Sequence, residues 1–170
     1  MKAIILAAGR SSRLYPLTLN IPKCLLEISE GLSIIEYQIS ILRDLNITDI
    51  LIVTGFQSQK IEQRLRNNVR FCYYPNYMET NNLYTLNHVI DELNDDLLVL
   101  FSDVIISRAF LKKCINSKDD FNLLIDEKEV SDKTMRVLLD DYGIVDIGNH
   151  IPIENGHGNF IGIAKYRKSG

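Results

Sequence analysis

Five consecutive apolar residues, Ala3-Ile4-Ile5-Leu6-Ala7, carry no polar residue at alternate positions. A strand of that pattern buries both faces, as the interior strands of parallel sheets do. It empties into Ala8-Gly9 and then at once into Arg10, Ser11, Ser12 and Arg13, with Lys23 close behind. An interior strand that ends in small residues and cations predicts a backbone cradle for something anionic.

The rest of the chain repeats the strand-then-helix order. Ser33 is expected to cap a helix running to about Leu45, with Ile34, Ile35, Ile39, Leu42 and Leu45 on or near one face. Asp49 to Val53 reads as a second buried strand ended by Thr54-Gly55, followed by a short helix over Gln59 to Leu65 and a strand over Val69 to Tyr73. Pro75 to Asn82 lacks periodicity and reads as a loop. Leu83, Leu86, Val89, Ile90 and Leu93 then stand at helical spacing, predicting a helix from Leu83 to Leu93. A fourth strand, Leu97 to Phe101, stops at Ser102-Asp103, and Leu111 to Ile115 reads as helix. Later strands are expected at Phe121 to Ile125, Thr134 to Leu139, Ile144 to Ile147 and Gly158 to Tyr166, with a turn at Asp140-Asp141-Tyr142-Gly143.

This order predicts a three-layer α/β/α, Rossmann-like fold with a mixed, mainly parallel central sheet. The 170 residues suit a single domain over 1–170. Ligands of such sheets bind beyond the carboxyl ends of the strands. Gly9, the Asn81-Asn82 loop and Asp103 all follow strands or adjoin that edge. The net charge of -3 and the lack of a Lys/Arg-rich block argue against a nucleic-acid surface. No segment approaches the roughly 20 apolar residues needed to cross a bilayer. The start does not read as a signal peptide. Cys24, Cys72 and Cys114 are far apart and in no Cys-x-x-Cys pair. Reduced thiols and a cytoplasmic location are expected.

Ala7, Ala8 and Gly9 let a backbone approach a ligand closely, and consecutive N–H groups form an anion-binding nest. A tight turn with solvated cations would look the same locally. A Walker loop needs Gly-x-x-x-x-Gly-Lys-Ser/Thr and a dinucleotide fingerprint needs three spaced glycines; neither is present. Asp103 is open to two readings, a helix cap or a metal ligand. Asn76, Asn81 and Asn82 both donate and accept, suiting a pyrimidine edge, but Asn81 and Asn82 also suit the cap of the next helix. Tyr73, Tyr74, Tyr77 and Tyr84 would suit a quaternary amine or strand packing. His88, His150 and His157 show no metal-ligand spacing, so no zinc site is expected.

Leu6-Ala7-Ala8-Gly9-x-Ser11-Ser12-Arg13 followed by Pro22-Lys23 resembles the signature of the nucleotidyltransferases that activate sugar phosphates and other small phosphate compounds, a family with a GT-A-like fold. Glu36-Tyr37-Gln38, Thr54-Gly55-Phe56 and Asn81-Asn82-Leu83-Tyr84-Thr85-Leu86 bring it closer to the bacterial phosphocholine cytidylyltransferases. Phe160 to Lys165 is similar to the phosphonate cytidylyltransferases. The resemblance implies that Arg13 and Lys23 are catalytic, Arg13 gripping the β- and γ-phosphates and Lys23 bridging the α-phosphate and the acceptor. It implies nucleotide binding by Leu6, Ala7, Ala8, Gly9, Arg10, Ser11 and Ser12, base recognition by Asn76, Asn81 and Asn82, and Mg2+ on Asp103. The implied partners are CTP and a small phosphate or phosphonate acceptor such as phosphocholine, with a homodimer possible.

Ser11 stands where the family has a second glycine, which fits if the position has no need of positive φ. Asn149 stands where relatives often have lysine, and Asn159 where an acidic residue is expected. The chain ends at Lys168-Ser169-Gly170, before the acidic segment that carries the family's second metal ligand, and is expected to lack the family's C-terminal segment. Two alternatives stay open: a sugar-1-phosphate nucleotidyltransferase using another nucleoside triphosphate, and a nucleotide-binding module without catalysis.

Overall fold

In chain order the computed structural model runs through β1 (Lys2–Ala7), the hairpin β2 (Glu27–Ser29) and β3 (Leu32–Ser33), α1 (Ile34–Asp44), β4 (Ile50–Thr54), α2 (Ser58–Leu65), β5 (Arg70–Tyr73) and α3 (Asn82–Asn87). It continues through β6 (Leu97–Phe101), α4 (Arg108–Asn116), β7 (Phe121–Asp126), β8 (Arg136–Asp140), β9 (Gly143–Gly148) and β10 (Gly158–Tyr166). Residues 1–128, 130–131 and 134–168 are described; Ser169 and Gly170, the expected chain end, lie outside them.

The main sheet has the order β5-β4-β1-β6-β10-β8-β9, with β7 paired to β10. β5, β4, β1 and β6 run parallel to one another, and β10 is antiparallel to β6, β7 and β8. The fold is therefore the expected mixed α/β sheet. β10 is long enough to share one edge. Ile163 to Tyr166 pair with β6 and Gly158-Asn159 with β8, while β7 follows the opposite edge. The register shifts between Phe160 and Ala164, where Gly162 takes φ +87°. A side chain at Gly162 would meet the Phe101 ring at 2.6 Å.

β1 is buried along its whole length, as its composition predicts. Ala3, Ile5 and Ala7 face Ile35, Ile39 and Leu42 of α1, Ile61 of α2 and Leu111 of α4. Ile4, Leu6 and Ala8 face the other way, towards Val89, Tyr74 and Leu86. Burying aliphatic side chains on both sides contributes roughly 1.5–3 kcal/mol each and locks β1 at the centre of the sheet. α1 starts where expected, with a capping box. Ser33 Oγ accepts from Glu36 N, and the Glu36 carboxylate accepts from Ser33 N at 3.0 Å. Arg64 of α2 grips the same carboxylate at 2.8 and 2.9 Å.

The expected helix from Leu83 to Leu93 is shorter. α3 covers Asn82–Asn87, and a separate 3-10 turn spans Ile90–Glu92. Val89 breaks the run at φ -110°, ψ 30° and stays buried, whereas Leu83 is 72% and Ile90 57% exposed. Long-range bonds outweigh helical periodicity here: the Lys2 ammonium takes both the carbonyl of Glu92, at 3.1 Å, and its carboxylate, at 2.6 Å.

Candidate active site

β1, β4 and β6 run in parallel, so the segments leaving Ala7, Thr54 and Phe101 meet on one edge. A cavity of about 390 Å3 opens there. Leu6, Ala7, Gly9, Ser11, Arg13, Lys23, Asn82 and Asp103 line it, together with Phe101, Ser102, Thr134, Met135 and Phe160. Three of the four charged side chains singled out from the sequence, Arg13, Lys23 and Asp103, therefore line one cavity.

The loop after β1 is held from both sides. The Ala8 carbonyl accepts from Phe56 N at 2.9 Å, tying the loops after β1 and β4 together. Gly55 permits this approach: a side chain there would lie 2.7 Å from the Ala8 oxygen and 2.8 Å from the Tyr77 ring. The amides of Gly9, Arg10 and Ser11 have no acceptor among the described residues. Ser11 is left-handed, φ 54°, ψ 41°. The condition under which a serine fits here without strain, no need of positive φ, is thus not met, and the glycine of the family pattern has its physical reason. A serine held there costs about 1–2 kcal/mol. Its carbonyl accepts from Leu14 N at 3.0 Å and from the buried Thr18 hydroxyl at 2.8 Å, and these bonds offset the strain.

Lys23 begins a 3-10 turn after Pro22, and its ammonium meets Asp103 Oδ2 at 2.5 Å. Asp103 is not a helix cap, because Ser107 caps α4 by accepting from Phe110 N. Arg13 forms no ion pair among the described residues. Cys24, also on the wall, is 1% exposed, and burial pushes its thiol up to about 12, so it stays protonated and inert.

Other expected residues stand elsewhere. Arg10 lies outside the lining, 5.7 Å from the Phe56 ring centroid, and Ser12 is exposed. Asn81 is the N-cap of α3, its side-chain oxygen accepting from Leu83 N and Tyr84 N, so that oxygen is engaged. Asn76 sits in the preceding turn, where its carbonyl accepts from Glu79 N and the Thr80 hydroxyl. Of the three asparagines, Asn82 alone lines the cavity. None of the four tyrosines lines it: Tyr74 stacks on His88 with centroids 5.0 Å apart, Tyr77 backs Gly55, and Tyr73 and Tyr84 are exposed. His150 pairs with Asp146 at 2.7 Å, and no group of three or more His, Cys, Asp or Glu converges among the described residues.

Sequence reasoning missed Thr134, Met135 and Phe101 as wall residues. Each reads locally as ordinary strand; Phe101 ends β6 directly beside β1, and Thr134 and Met135 reach the cavity because β10 pairs with both β6 and β8. Asn159, where an acidic residue was expected, accepts from the Thr134 hydroxyl at 2.5 Å.

For a magnesium ion, the cavity offers one carboxylate among the described residues, Asp103, beside Arg13 and Lys23. Mg2+ is held by one or two carboxylates, with water and substrate phosphate completing its shell, so the residues fit. No helix among the described residues is long and apolar enough to cross a membrane.

Comparison with known proteins points the same way. Choline-phosphate cytidylyltransferase of Streptococcus pneumoniae is 32% identical over 148 residues, covering 86% of this chain and 63% of that protein. CTP:phosphoglutamine cytidylyltransferase of Campylobacter jejuni is 32% identical over 135 residues, 75% of this chain and 53% of that protein. The chain thus covers less than two thirds of the length of these relatives. The solved CTP:phosphocholine cytidylyltransferase of S. pneumoniae superposes with a TM-score of 0.78 at 29% identity, covering 98% of this chain and 71% of that one. A Bacillus anthracis structure assigned to glucose-1-phosphate thymidylyl transfer gives 0.80 at 27% identity over the same shares. The nucleotidyl transferase family model matches residues 2–155, and with the cradle, cations and carboxylate gathered at one strand edge, this chain belongs to that family.

Proposed function

We propose that the cavity binds CTP and that the chain transfers CMP from it to a small phosphorylated or phosphonate acceptor. An acceptor oxygen attacks the α-phosphorus, the bond from that phosphorus to the β-bridging oxygen breaks, and pyrophosphate leaves with the electron pair. The nucleophile is already anionic, so no base is needed. The barrier lies in bringing two anions together and holding the charge of the crowded phosphorus.

The single observation that carries this reading is that Arg13, Lys23 and Asp103 line one cavity past the ends of β1 and β6. Arg13, which pairs with no carboxylate among the described residues, would take the β- and γ-phosphates. Lys23 would leave Asp103 for the α-phosphate and the incoming acceptor, a task for a compact charge on a flexible stem. The open amides of Gly9 to Ser11 would line the phosphate chain, and Asn82 would meet the base. Asp103 would hold Mg2+, which when bound neutralises phosphate charge. The cytidylyltransferase relatives favour CTP and an amino-alcohol phosphate such as phosphocholine as acceptor.

A second reading, thymidylyl or uridylyl transfer to a sugar 1-phosphate, is favoured by the superposition on the B. anthracis structure. Titration with CTP, UTP, dTTP, ATP and GTP, followed by pyrophosphate release with phosphocholine, a phosphonate and glucose 1-phosphate, separates the two. Tightest binding of CTP with acceptor-dependent release supports cytidylyl transfer. Preference for dTTP or UTP with glucose 1-phosphate overturns it, and binding without turnover on every acceptor leaves a nucleotide-binding module.

A further inference from the structure

We propose that the Ser11 hydroxyl, presented by a left-handed backbone that Thr18 holds in place, donates a hydrogen bond directly to the triphosphate, a contact that a glycine at this position would lack. The inference rests on the nucleotide-binding reading above and adds a side-chain donor to it.

The conformation at Ser11 is imposed from outside the residue. Its carbonyl is held by Leu14 N and by the hydroxyl of Thr18, which is 0% exposed. Those two bonds hold the Ser11 carbonyl, whose direction follows ψ, while the residue sits at φ 54°, ψ 41°. Glycine would occupy this geometry without strain. Strain of this kind persists where the surroundings over-determine it, and it gathers at ligand clamps.

The side chain has no local task that would account for the serine. Ser11 makes no capping bond for the turn that follows, and its hydroxyl has no partner among the described residues. Yet the residue is half-buried and lines the cavity beside Arg13 and Lys23. Three consecutive amides with no acceptor, Gly9 to Ser11, stand beside that hydroxyl. All these groups are donors, and a phosphate oxygen supplies the acceptors they lack. A bond from a neutral hydroxyl to an ionised oxygen is charge-assisted and stronger than an ordinary one.

The test is calorimetric titration of the parent chain, Ser11→Ala and Ser11→Gly with CTP and with inorganic tripolyphosphate, alongside ligand-free thermal melts. Both substitutions should weaken both probes roughly tenfold or more, the worth of a hydrogen bond to a charged group. The melts should diverge: Ser11→Gly relieves the strain and melts about 2–4 °C higher, whereas Ser11→Ala keeps it and melts with the parent. The gain in stability with loss of affinity in one variant is a combination that a purely structural serine does not produce. Undiminished affinity of either variant, with a parent that binds, overturns the contact while leaving the nucleotide reading standing. Weakening towards CTP but not towards tripolyphosphate also overturns it, because the contact would then lie on the nucleoside. A parent that binds neither probe overturns the nucleotide reading and this inference together.

Discussion

The two ends of the parallel strands treat charge in opposite ways. At the amino ends, Lys2 pairs with Glu92 at 2.6 Å and lies 4.0 Å from Asp49, and Arg70 pairs with Asp49 at 2.9 Å and Glu92 at 2.8 Å. The terminal amine adds a bridge to Asp95 at 3.3 Å. Lys2 and Arg70 share Asp49 and Glu92 in one network, and the terminal amine makes a separate pair with Asp95. At the carboxyl ends, Arg10, Arg13 and Lys23 stand in the segments after β1, and among the described residues Asp103 alone pairs with any of them, through Lys23. One end satisfies its charges internally and holds strands in register; the other leaves positive charge for a ligand to complete. Charge at the first end should therefore govern stability, and charge at the second should govern binding and turnover.

The largest effect is expected from Lys23→Ala, which should lower pyrophosphate release by about 100-fold or more, the cost of removing a group that meets developing charge. The melting temperature should stay near the parent's. Near-normal turnover would remove Lys23 from the mechanism and break the contrast at its strongest point. Asp103→Asn should split two readouts: metal-dependent turnover falls, while CTP affinity without metal rises roughly two- to fivefold, the worth of an exposed ion pair, because Lys23 is released. Weaker metal-free binding would show that the pair positions Lys23 for phosphate and does not compete with it.

Thr18→Val keeps the shape but removes the hydroxyl that holds Ser11. Stability should fall by about 1 kcal/mol in chemical denaturation, with weaker binding of tripolyphosphate. Unchanged values in both would show that the loop needs no such clamp. The smallest effect belongs to the opposite end. Hydrogen bonds from Arg70, then from Lys2, hold the Glu92 carboxyl down from 4.5 to about 2. A carboxyl lowered in the folded state contributes stability above its unfolded value of 4.5, and loses it as pH falls towards about 2. Glu92→Gln should flatten the acid limb of stability in that window and leave CTP affinity unchanged. A shift in CTP affinity would join the two ends that the structure separates.

The site was partly legible because its main parts are local. Gly9, Arg13 and Lys23 sit within one short stretch, and Asp103 follows a strand whose ends, Leu97 and Phe101, the apolar run itself marks. The three asparagines were less legible, because Asn81 suits a cap and a pyrimidine edge equally well, and packing gave it to the cap. Buried cations were equally silent. Lys165 is 0% exposed near the end of β10 and donates to the Ser117 carbonyl at the end of α4, where a cation complements the helix dipole. Arg136, 4% exposed, donates to the carbonyls of Ser131, Asn149 and Ile151.

By itself the sequence determined the layered sheet, the two-sided burial of β1, the capped start of α1 and the place of the cationic loop. Each follows from residues within a few positions of one another, through periodicity, caps and strand ends. Only the tertiary structure decided that Ser11 is left-handed, that the helix after Asn81 stops at Asn87, and that Met135 and Phe160 line the same cavity as Arg13. Those outcomes depend on partners distant along the chain, Thr18, Lys2 and Phe101 among them, whose approach no local pattern encodes.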